Sequence, residues 1–305
     1  MKTKDKKIKL RYGENPNQNA YLIKNCKKSI FEYQISGKKI SYNNLIDLDS
    51  GLRCLEEFQE PTSIIIKHTN PCGVASAKNI ITAFLKSYNS DPKSAFGGII
   101  LLNRKVNFKL SRKISEQFFE VIVAPSFDIN ALTNLKKRKN LIILRIPDTK
   151  KMVLQHRSTL FGDLYQTIDS ENINKQFLEL KSTKRASLKS VNDLIFGLKV
   201  AKHLKSNAIV LSRNKQTLGL GHGHTNRVDA LKTAIKNMNR YFKKNHFVCA
   251  SDGFFPFTDS ISLLNKNGCG ALAQPRGSIN DKKIISFSIK NQIPLYFTKN
   301  RLFKH

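Results

Sequence analysis

Short runs of β-branched and aliphatic residues alternate with segments of helical periodicity along most of this chain, and this alternation limits its fold more than any other feature. It favours an α/β fold in which crossover helices connect parallel strands. The pattern predicts strands at 62–68, 97–102, 120–125, 141–146, 207–213, 217–221, 247–252, 271–275 and 294–298, and helices at 47–58, 76–89, 109–119, 128–138, 191–205, 226–242, 259–266 and 281–290.

A polar stretch rich in Lys, Ser and Asn divides this alternation into two parts. Residues 147–190 show no clear periodicity, which predicts a connector or a small irregular lobe. We therefore predict a first α/β unit over residues 1–150, and a connector with a second α/β unit over residues 151–305. The order of elements suggests a duplication, although no close internal sequence repeat is visible.

The chain of 305 residues carries a large excess of positive charge. It has 53 Lys and Arg against 22 Asp and Glu, a formal net charge of +31. Most of the excess is lysine spread through nearly every segment, whereas a nucleic-acid surface usually concentrates its charge on one face. Specific nucleic-acid binding is therefore not expected, but a positive field would attract an anionic small substrate.

The apolar segments and the cysteines indicate the compartment. No run reaches the roughly 20 apolar residues of a membrane span, and the lysine-rich start is not followed by the apolar region of a secretory signal. We therefore expect a soluble, cytoplasmic protein without membrane contact. Its five cysteines include no CxxC pair, which predicts reduced thiols rather than disulfides or a thiolate zinc site.

A lysine and a histidine stand together at the end of a predicted strand. Because consecutive strand residues point to opposite faces, Lys67 and His68 can serve one site only where the extended geometry breaks, and Asn70–Pro71 with Gly73 predicts that break. A lysine donor beside a histidine base suits a reaction in which an oxyanion forms while a nucleophile loses a proton. On these residues alone, an exposed lysine beside an ordinary strand-terminal histidine remains the alternative.

Glycine-containing segments at 11–13, 94–98 and 219–227 are candidates for anion binding, because glycine lets backbone amides approach a phosphate. The full dinucleotide fingerprint is absent, so a nicotinamide cofactor is not expected. His222 and His224 have no third metal ligand at a suitable spacing, and loop polar residues are the favoured interpretation.

Two further features admit a functional and a structural interpretation. The segment 251–259 places three phenylalanines and a proline between two aspartates, which suits a heteroaromatic ligand with N–H donors. A hydrophobic core cluster explains this segment equally well. Cys72 lies near the Lys–His pair, but burial is favoured over a role as a nucleophile.

Taken together, these motifs resemble a known family of purine-biosynthesis enzymes. The resemblance is to the 5-aminoimidazole-4-carboxamide ribonucleotide (AICAR) formyltransferase region of the bifunctional transformylase and inosine monophosphate (IMP) cyclohydrolase family, and it covers nearly the whole chain apart from residues 147–190. No segment resembles the cyclohydrolase domain, so that activity is expected to be absent. The motifs are LRYGENPNQ (10–18), SYNNLIDLDSG (41–51), SIIIKHTNPCGVA (63–75), SDPKSAFGGI (90–99), EVIVAPSFD (120–128), VAKHLKSNAIVL (200–211), TLGLGHGHTNRVDA (217–230), ASDGFFPFTDSI (250–261) and RLFKH (301–305).

The resemblance implies a fold and an activity. The fold would be two cytidine-deaminase-like three-layer α/β/α units in tandem, with active sites at a homodimer interface. The activity would be transfer of the formyl group of 10-formyltetrahydrofolate to the amine of AICAR, giving formyl-AICAR in de novo purine synthesis. The zinc signature of the deaminases, HxE with PCxxC, is absent, so no zinc is expected.

The resemblance also implies roles for individual residues. A structural potassium ion is allowed near Asp252 and His305, the two positions implied to lie close to the site. The implied residues are Lys67, His68 and Asn207 for catalysis, Arg11, Tyr12, Asn44, Gly97, Arg227, Phe254 and Arg301 for substrate binding, and Pro256, Phe257 and Asp259 for folate binding.

Two positions depart from the family pattern and affect the expected activity more than the expected fold. Asn17 replaces the histidine of the family's NPHQ, and His224 replaces the glutamine of GAGQ-x-S-R. The alternatives are a catalytically decayed binding or scaffold domain, or a nucleic-acid-binding protein. Retention of the implied catalytic lysine, histidine and asparagine favours the enzyme.

Overall fold

The structure, a computed structural model, describes residues 7–23, 28–147, 154–243 and 246–305. A mixed sheet of 12 strands runs through the protein and carries helices on both faces, which confirms the predicted α/β class. None of the helices in these ranges has the length and apolar character of a membrane span. Cys26 and the predicted unit boundary between residues 150 and 151 lie outside the described residues.

Strands and helices alternate for most of the chain. The strands are β1 (Lys7–Lys9), β2 (Tyr21–Ile23), β3 (Gln34–Ser36), β4 (Thr62–Lys67), β5 (Asn70–Ser76), β6 (Ile99–Leu102), β7 (Val121–Ala124), β8 (Ile142–Arg145), β9 (Leu154–Thr159), β10 (Gly162–Thr167), β11 (Leu178–Leu180), β12 (Ile209–Arg213), β13 (Gln216–Gly221), β14 (Phe247–Ser251), β15 (Cys269–Pro275) and β16 (Leu295–Thr298). The α-helices are α1 (Tyr42–Leu55), α2 (Ile80–Ser90), α3 (Pro92–Ala95), α4 (Phe108–Ser115), α5 (Ile129–Lys136), α6 (Leu188–Ala201), α7 (Arg227–Tyr241), α8 (Thr258–Lys266) and α9 (Asp281–Lys290), and short 3₁₀ helices span Ile30–Tyr33 and Lys175–Phe177.

The strand order is β11-β16-β15-β14-β12-β13-β5-β4-β6-β7-β8-β3. Strands β6, β7 and β8 are parallel to one another, and so are β14, β15 and β16. The pairs β4–β5 and β12–β13 are antiparallel, because two-residue turns connect them and a parallel crossover needs a dozen residues or more. The prediction of parallel strands was therefore wrong for the middle of the sheet.

The two halves of the sheet have the same topology. From the middle outward, β5-β4-β6-β7-β8 matches β13-β12-β14-β15-β16, and β5 pairs with β13 where the halves meet. Three pairs occupy corresponding positions, Asp47 with Asp193, Gly51 with Gly197, and Gly73 with Gly219, and the residue numbers within each pair differ by 146. The likeness of each half to a cytidine deaminase stays a prediction.

Alternating side chains of the strands build three layers. In β4, Ile64 and Ile66 belong to a core that α1 and α6 share, so this core continues across both halves. Ile65 points to the opposite face, into a separate core with α2, α4 and α5. In the second half, residues of β12, β14 and β15 form a third core with α7, α8 and α9 on that same face.

Helices α1 and α2 begin at other residues than the sequence predicts. Helix α1 begins at Tyr42 rather than at residue 47, because Ser41 and Asn44 form a capping box with hydrogen bonds of 3.1 and 3.2 Å. The residues predicted as a loop after His68 form β5, so α2 begins later than predicted, after its N-cap Asn79. The prediction of a helix over 226–242 is confirmed by α7.

The predicted connector contains regular structure. Strands β9 and β10 form an exposed hairpin, and β11 pairs with β16 at the sheet edge. The hairpin shows no apolar periodicity because both of its faces are exposed, and Leu160 and Phe161 at its tip are almost fully exposed. The sequence pattern could not reveal strands that contribute nothing to the core.

Candidate active site

The strands β4 and β5 are joined by a turn whose two central residues have an unfavourable backbone conformation. His68 has φ +53° and Thr69 has φ +65°, and the flanking residues Lys67 and Asn70 pair across the hairpin. A two-residue turn with two positive φ angles usually contains Asn and Gly, and other residues cost about 1–3 kcal/mol each in this region. This turn therefore needs contacts that hold it.

Three side chains supply those contacts. The Thr69 N–H donates to Asp47 Oδ1 at 2.6 Å, the Ser50 hydroxyl donates to the Thr69 carbonyl at 2.6 Å, and the Asn70 amide donates to the His68 carbonyl at 2.8 Å. Burial raises the pKa of Asp47, against the lowering effects of the Thr69 amide and of His68. Sequence reasoning assigned no role to Asp47 and Ser50, although their spacing of three residues places them on one face of α1.

The turn brings Lys67 and His68 to the same cavity. The break in extended geometry falls at His68 and Thr69, not at Asn70–Pro71 and Gly73 as predicted. The cavity is about 280 Å³ in volume and lies where β5 and β13 meet. The Lys67 ammonium donates to the Phe96 carbonyl at 2.8 Å, which leaves two of its three N–H groups for other acceptors.

Both halves contribute to the wall of this cavity. Asp91 and Asn237, whose numbers also differ by 146, line it together with His222. Burial lowers the pKa of His222 to about 4, with His224, Lys205 and Lys304 acting in the same direction, so its imidazole is neutral at pH 7. Sequence reasoning treated His222 only as a metal ligand or a loop residue and missed its place in the cavity.

Two predicted features near the cavity have structural roles. Cys72 is partly exposed and lines the cavity, whereas burial was the favoured prediction; desolvation raises the pKa of its thiol to about 12, which disfavours a thiolate nucleophile. A Cβ at Gly73 would lie 1.9 Å from the Ser87 carbonyl oxygen, and one at Gly219 would lie 2.1 Å from that of Ala234. These glycines let a helix pack closely on each strand, so Gly219 lies in β13 and not in a loop as predicted, and its role in anion binding stays a prediction.

The implied residues Asn207, Arg227 and Asp252 form a second, buried cluster. Arg227 donates to Asn207 Oδ1 at 2.8 Å and to Asp252 Oδ1, and the Asn207 amide donates to the His224 carbonyl at 3.0 Å. Gly253 is required here, because a Cβ at this position would lie 2.2 Å from Arg227 Nη2. These contacts fix the guanidinium and leave its orientation little freedom.

The second cluster does not line the cavity that holds Lys67 and His68. The two groups are connected by short paths: the Lys205 N–H lies 3.4 Å from Asn70 Oδ1, and Ser206 precedes Asn207 and pairs with Lys304. The structure therefore brings together Lys67 with His68, and Asn207 with Arg227 and Asp252, as two neighbouring groups.

Four implied substrate residues lie around the start of α1. Arg11 stacks on the Tyr12 ring at 5.3 Å, and their segment contacts the helix through a 3.1 Å hydrogen bond from Asn43 to the Glu14 carbonyl. Asn44 is buried, and its side chain accepts a hydrogen bond from the Ser41 N–H in the helix cap and donates one to Glu120. Gly97, with φ +73°, follows the carbonyl that Lys67 contacts.

The remaining implied residues lie around α8 and after β16. Phe254, Phe257 and Asp259 are exposed, whereas Phe255 is buried and confirms the core interpretation for that one ring. Pro256 accepts a 2.8 Å hydrogen bond from Asn280 at its carbonyl.

Three residues to which the family resemblance assigns roles lie around the ring of Phe303. The guanidinium of Arg301 lies 4.8 Å and that of Arg227 5.9 Å from the ring centre, and the His305 ring lies at 5.9 Å. The segment 301–305 is attached to the second cluster, since the Leu302 N–H donates to the Asp252 carbonyl at 2.9 Å.

The described residues contain no cluster of metal ligands. Within residues 7–23, 28–147, 154–243 and 246–305, no three His, Cys, Asp or Glu side chains lie together as a metal site would require. Both carboxylate oxygens of Asp252 accept hydrogen bonds, from Arg227 and from Ser206, and each oxygen keeps a further lone pair. Potassium stays a prediction without a role in the chemistry below.

Comparison with known proteins places this geometry in context. A family model described as the AICARFT/IMPCHase bienzyme matches residues 1–237. The bifunctional purine biosynthesis protein PurH of Caldicellulosiruptor saccharolyticus is 44% identical over 305 residues, which cover 97% of this chain and 59% of that protein. PurH of Buchnera aphidicola subsp. Baizongia pistaciae is 44% identical over 98% of this chain and 58% of that protein, and PurH of Aquifex aeolicus is 40% identical over 97% and 59%. The chain thus spans about three fifths of the length of these relatives.

Proposed function

Since this chain belongs to the AICARFT/IMPCHase bienzyme family, we propose that it is a phosphoribosylaminoimidazolecarboxamide formyltransferase, which transfers the formyl group of 10-formyltetrahydrofolate to the amine of AICAR. One observation carries the proposal beyond the family match. Lys67 and His68 are consecutive, yet both side chains line one cavity because the chain turns at His68 and Thr69. A cation and an imidazole at one cavity are the two groups that formyl transfer needs.

The proposed reaction has two steps. The AICAR amine attacks the formyl carbon of 10-formyltetrahydrofolate, a C–N bond forms, and the carbonyl oxygen becomes an oxyanion. The bond from this carbon to N10 of the folate then breaks, N10 takes up a proton, and formyl-AICAR and tetrahydrofolate leave. Lys67 donates to the oxyanion with an N–H that Phe96 does not use, and His68 accepts the proton that the amine loses.

The basic residues suit two anionic ligands. Arg227 and Arg301 flank Phe303, and Arg11 is exposed beside α1, so cations stand on more than one side of the proposed site. We assign Arg227 to the AICAR ring, Arg11, Tyr12 and Arg301 to its phosphate side, and Asn44 and Gly97 to other nucleotide contacts. The formal net charge of +31 would draw both ligands toward the protein.

Asn207 is proposed to position the reacting groups, and its contacts account for one departure from the family. The Asn207 amide donates to the backbone carbonyl of His224, not to its side chain. Replacing glutamine by histidine at residue 224 therefore keeps this contact. Asn17 is exposed, so its effect would come through a bound ligand.

The folate side and the assembly complete the proposal. We assign Phe254 to the AICAR carboxamide, and Pro256, Phe257 and Asp259 to the folate. The side chains of Phe254, Phe257 and Asp259 are exposed, so a ligand can reach them. We propose a cytoplasmic homodimer with a site at the interface between its chains. This arrangement would account for a cavity that Asn207 and Arg227 of the same chain do not line.

The proposal is tested by assaying the purified protein with AICAR and 10-formyltetrahydrofolate. We expect tetrahydrofolate to form, followed by its absorbance, only when AICAR is present, and formyl-AICAR to be detected by mass spectrometry. Parallel reactions with formate as donor identify the formyl source. The absence of AICAR-dependent tetrahydrofolate, with tight DNA binding at physiological salt, would instead support the nucleic-acid alternative.

A further inference from the structure

The segment after β16 places one lysine between the two candidate groups. The Lys304 ammonium donates to Ser50 Oγ at 3.1 Å and to the His203 carbonyl at 3.1 Å. The backbone of Lys304 pairs with Ser206, whose N–H donates to the Lys304 carbonyl at 3.0 Å. Its side chain thus contacts helix α1 of the first half, and its backbone contacts the residue before Asn207.

Ser50 connects the Lys304 ammonium to the turn of the candidate active site. The buried Ser50 hydroxyl accepts from Lys304 and donates its own proton to the Thr69 carbonyl at 2.6 Å. An ionised donor strengthens a hydrogen bond, and successive bonds polarise one another. Lys304 therefore fixes the direction in which the Ser50 hydroxyl points, and with it the carbonyl of the residue that follows His68.

The corresponding turn of the second half is held without a hydroxyl at the position of Ser50. There, Asp193 accepts both turn amides, from Asn214 at 2.9 Å and from Lys215 at 2.7 Å. In the first half, the Asp47 carboxylate accepts the Thr69 amide at 2.6 Å, and the His68 amide also stabilises its charged form. The residue that corresponds to Ser50 in the second half is Phe196, which has no hydroxyl and belongs to the core.

We propose that Lys304 is a positioning residue, which holds the His68–Thr69 turn through Ser50 and fixes this turn relative to Asn207 through Ser206. The inference rests on the proposed function for its catalytic consequence, but not for its structural one. Lys304 itself touches no substrate and carries no proton of the reaction.

The test compares Lys304→Met and Lys304→Arg with Lys299→Met, a control that removes an exposed lysine from the same segment. Hydrogen exchange at the Thr69 amide is measured without substrates, and kcat and KM are measured with them. In Lys304→Met we expect exchange about tenfold faster and kcat about 10- to 100-fold lower with little change in KM, because small displacements of reacting groups are costly. Lys304→Arg should recover part of both effects, and Lys299→Met should change neither.

The outcomes separate the two proposals. An inactive wild-type protein in which Lys304→Met still loosens the turn would contradict the formyl transfer and support the positioning. Unchanged Thr69 exchange in a folded Lys304→Met would overturn the positioning, whatever the activity.

Ser50→Ala tests the same path if Lys304→Met does not fold. It should loosen the turn, and adding Lys304→Arg to it should have no further effect on Thr69. Independent, additive effects of the two changes would contradict the proposed path.

Discussion

The turn at His68–Thr69 and the turn at Asn214–Lys215 join corresponding strands in the two halves, and all four residues have φ between +51° and +65°. Their surroundings differ. In the second turn, both backbone amides donate hydrogen bonds to the buried Asp193, and the Lys86 ammonium donates to the Asn214 carbonyl. The Lys215 side chain forms an ion pair with Glu60. The first turn carries an exposed histidine at a cavity and relies on contacts from α1 and from Lys304. One backbone arrangement therefore serves as a structural turn in one half and as a candidate catalytic turn in the other.

The residue types at the two turns fit this difference. Asn214 and His68 are residue types that tolerate positive φ, whereas the β-branched Thr69 is an outlier at such an angle. A residue with an unfavourable backbone conformation in the first turn indicates that the side chains of this turn are needed for another purpose. The comparison thus connects backbone strain in the first half with the proposed chemistry.

The largest difference in kcat is expected between variants of Lys67 and Arg213, the residues that precede the two turns. Lys67→Ala should lower kcat about 100- to 1,000-fold, because an oxyanion donor contributes roughly 3–4 kcal/mol to lowering the barrier. Arg213→Ala, the change at the corresponding position of the second half, should leave kcat within about twofold. Steady-state kinetics and thermal unfolding of both variants measure this, and equal losses of activity would remove the distinction between the turns.

The aspartates that hold the turns should separate stability from activity. Asp193→Ala leaves two part-buried turn amides without the buried carboxylate that accepts them and should lower the free energy of unfolding by about 1–3 kcal/mol. Asp47→Ala removes the acceptor of the Thr69 amide at a half-buried position, so it should cost less stability but more kcat. Urea unfolding and kinetics of the two variants test this, and a larger loss of kcat in Asp193→Ala would contradict it.

The smallest effect concerns Glu57 and His203, which also correspond between the halves and contact each other at 3.2 Å. Burial alone would raise the pKa of Glu57, but His203 and Lys202 outweigh it and hold this pKa below 4.5. Burial lowers the pKa of His203 below 6.5, against the effect of Glu57.

Both shifts have the same consequence for stability. Each group binds a proton more weakly in the folded state than in the unfolded state, so folding loses stability as the pH falls below 6.5 and then through 4.5. The melting temperature should therefore fall between pH 7 and pH 4. Between pH 6.5 and pH 5 it should fall more steeply in Glu57→Gln than in the control Glu116→Gln, which changes an exposed glutamate, because Glu57 opposes the lowering of the His203 pKa. Parallel curves for the two variants would show that the contact between the halves contributes nothing.

The fold class and most elements followed from the sequence because apolar periodicity reports burial. The four-residue runs of β6 and β7 are buried on both faces, and the pattern predicted them. The hairpin β9–β10 escaped prediction because it has no buried face. The duplication was predicted only from the order of elements, since the matching residues, such as Asp47 and Asp193, are scattered within segments that otherwise differ.

The candidate site could be predicted only in part. The Lys67–His68 pair and the Arg227 cluster stood out through their motifs, but the turn did not, because His68–Thr69 lacks the Asn–Gly or Asp–Gly pair that marks a two-residue hairpin turn. Ser50 and Lys304 escaped for a different reason. Their contact joins residues 254 positions apart, and no local pattern reports such a separation.

The most direct test is a crystal structure with AICAR and a non-transferring analogue of 10-formyltetrahydrofolate bound together. The account predicts Lys67 Nζ and a His68 ring nitrogen within about 2.6–3.2 Å of the formyl oxygen and the AICAR amine, respectively. A structure in which both ligands are well defined, but neither Lys67 nor His68 contacts either ligand, would contradict it.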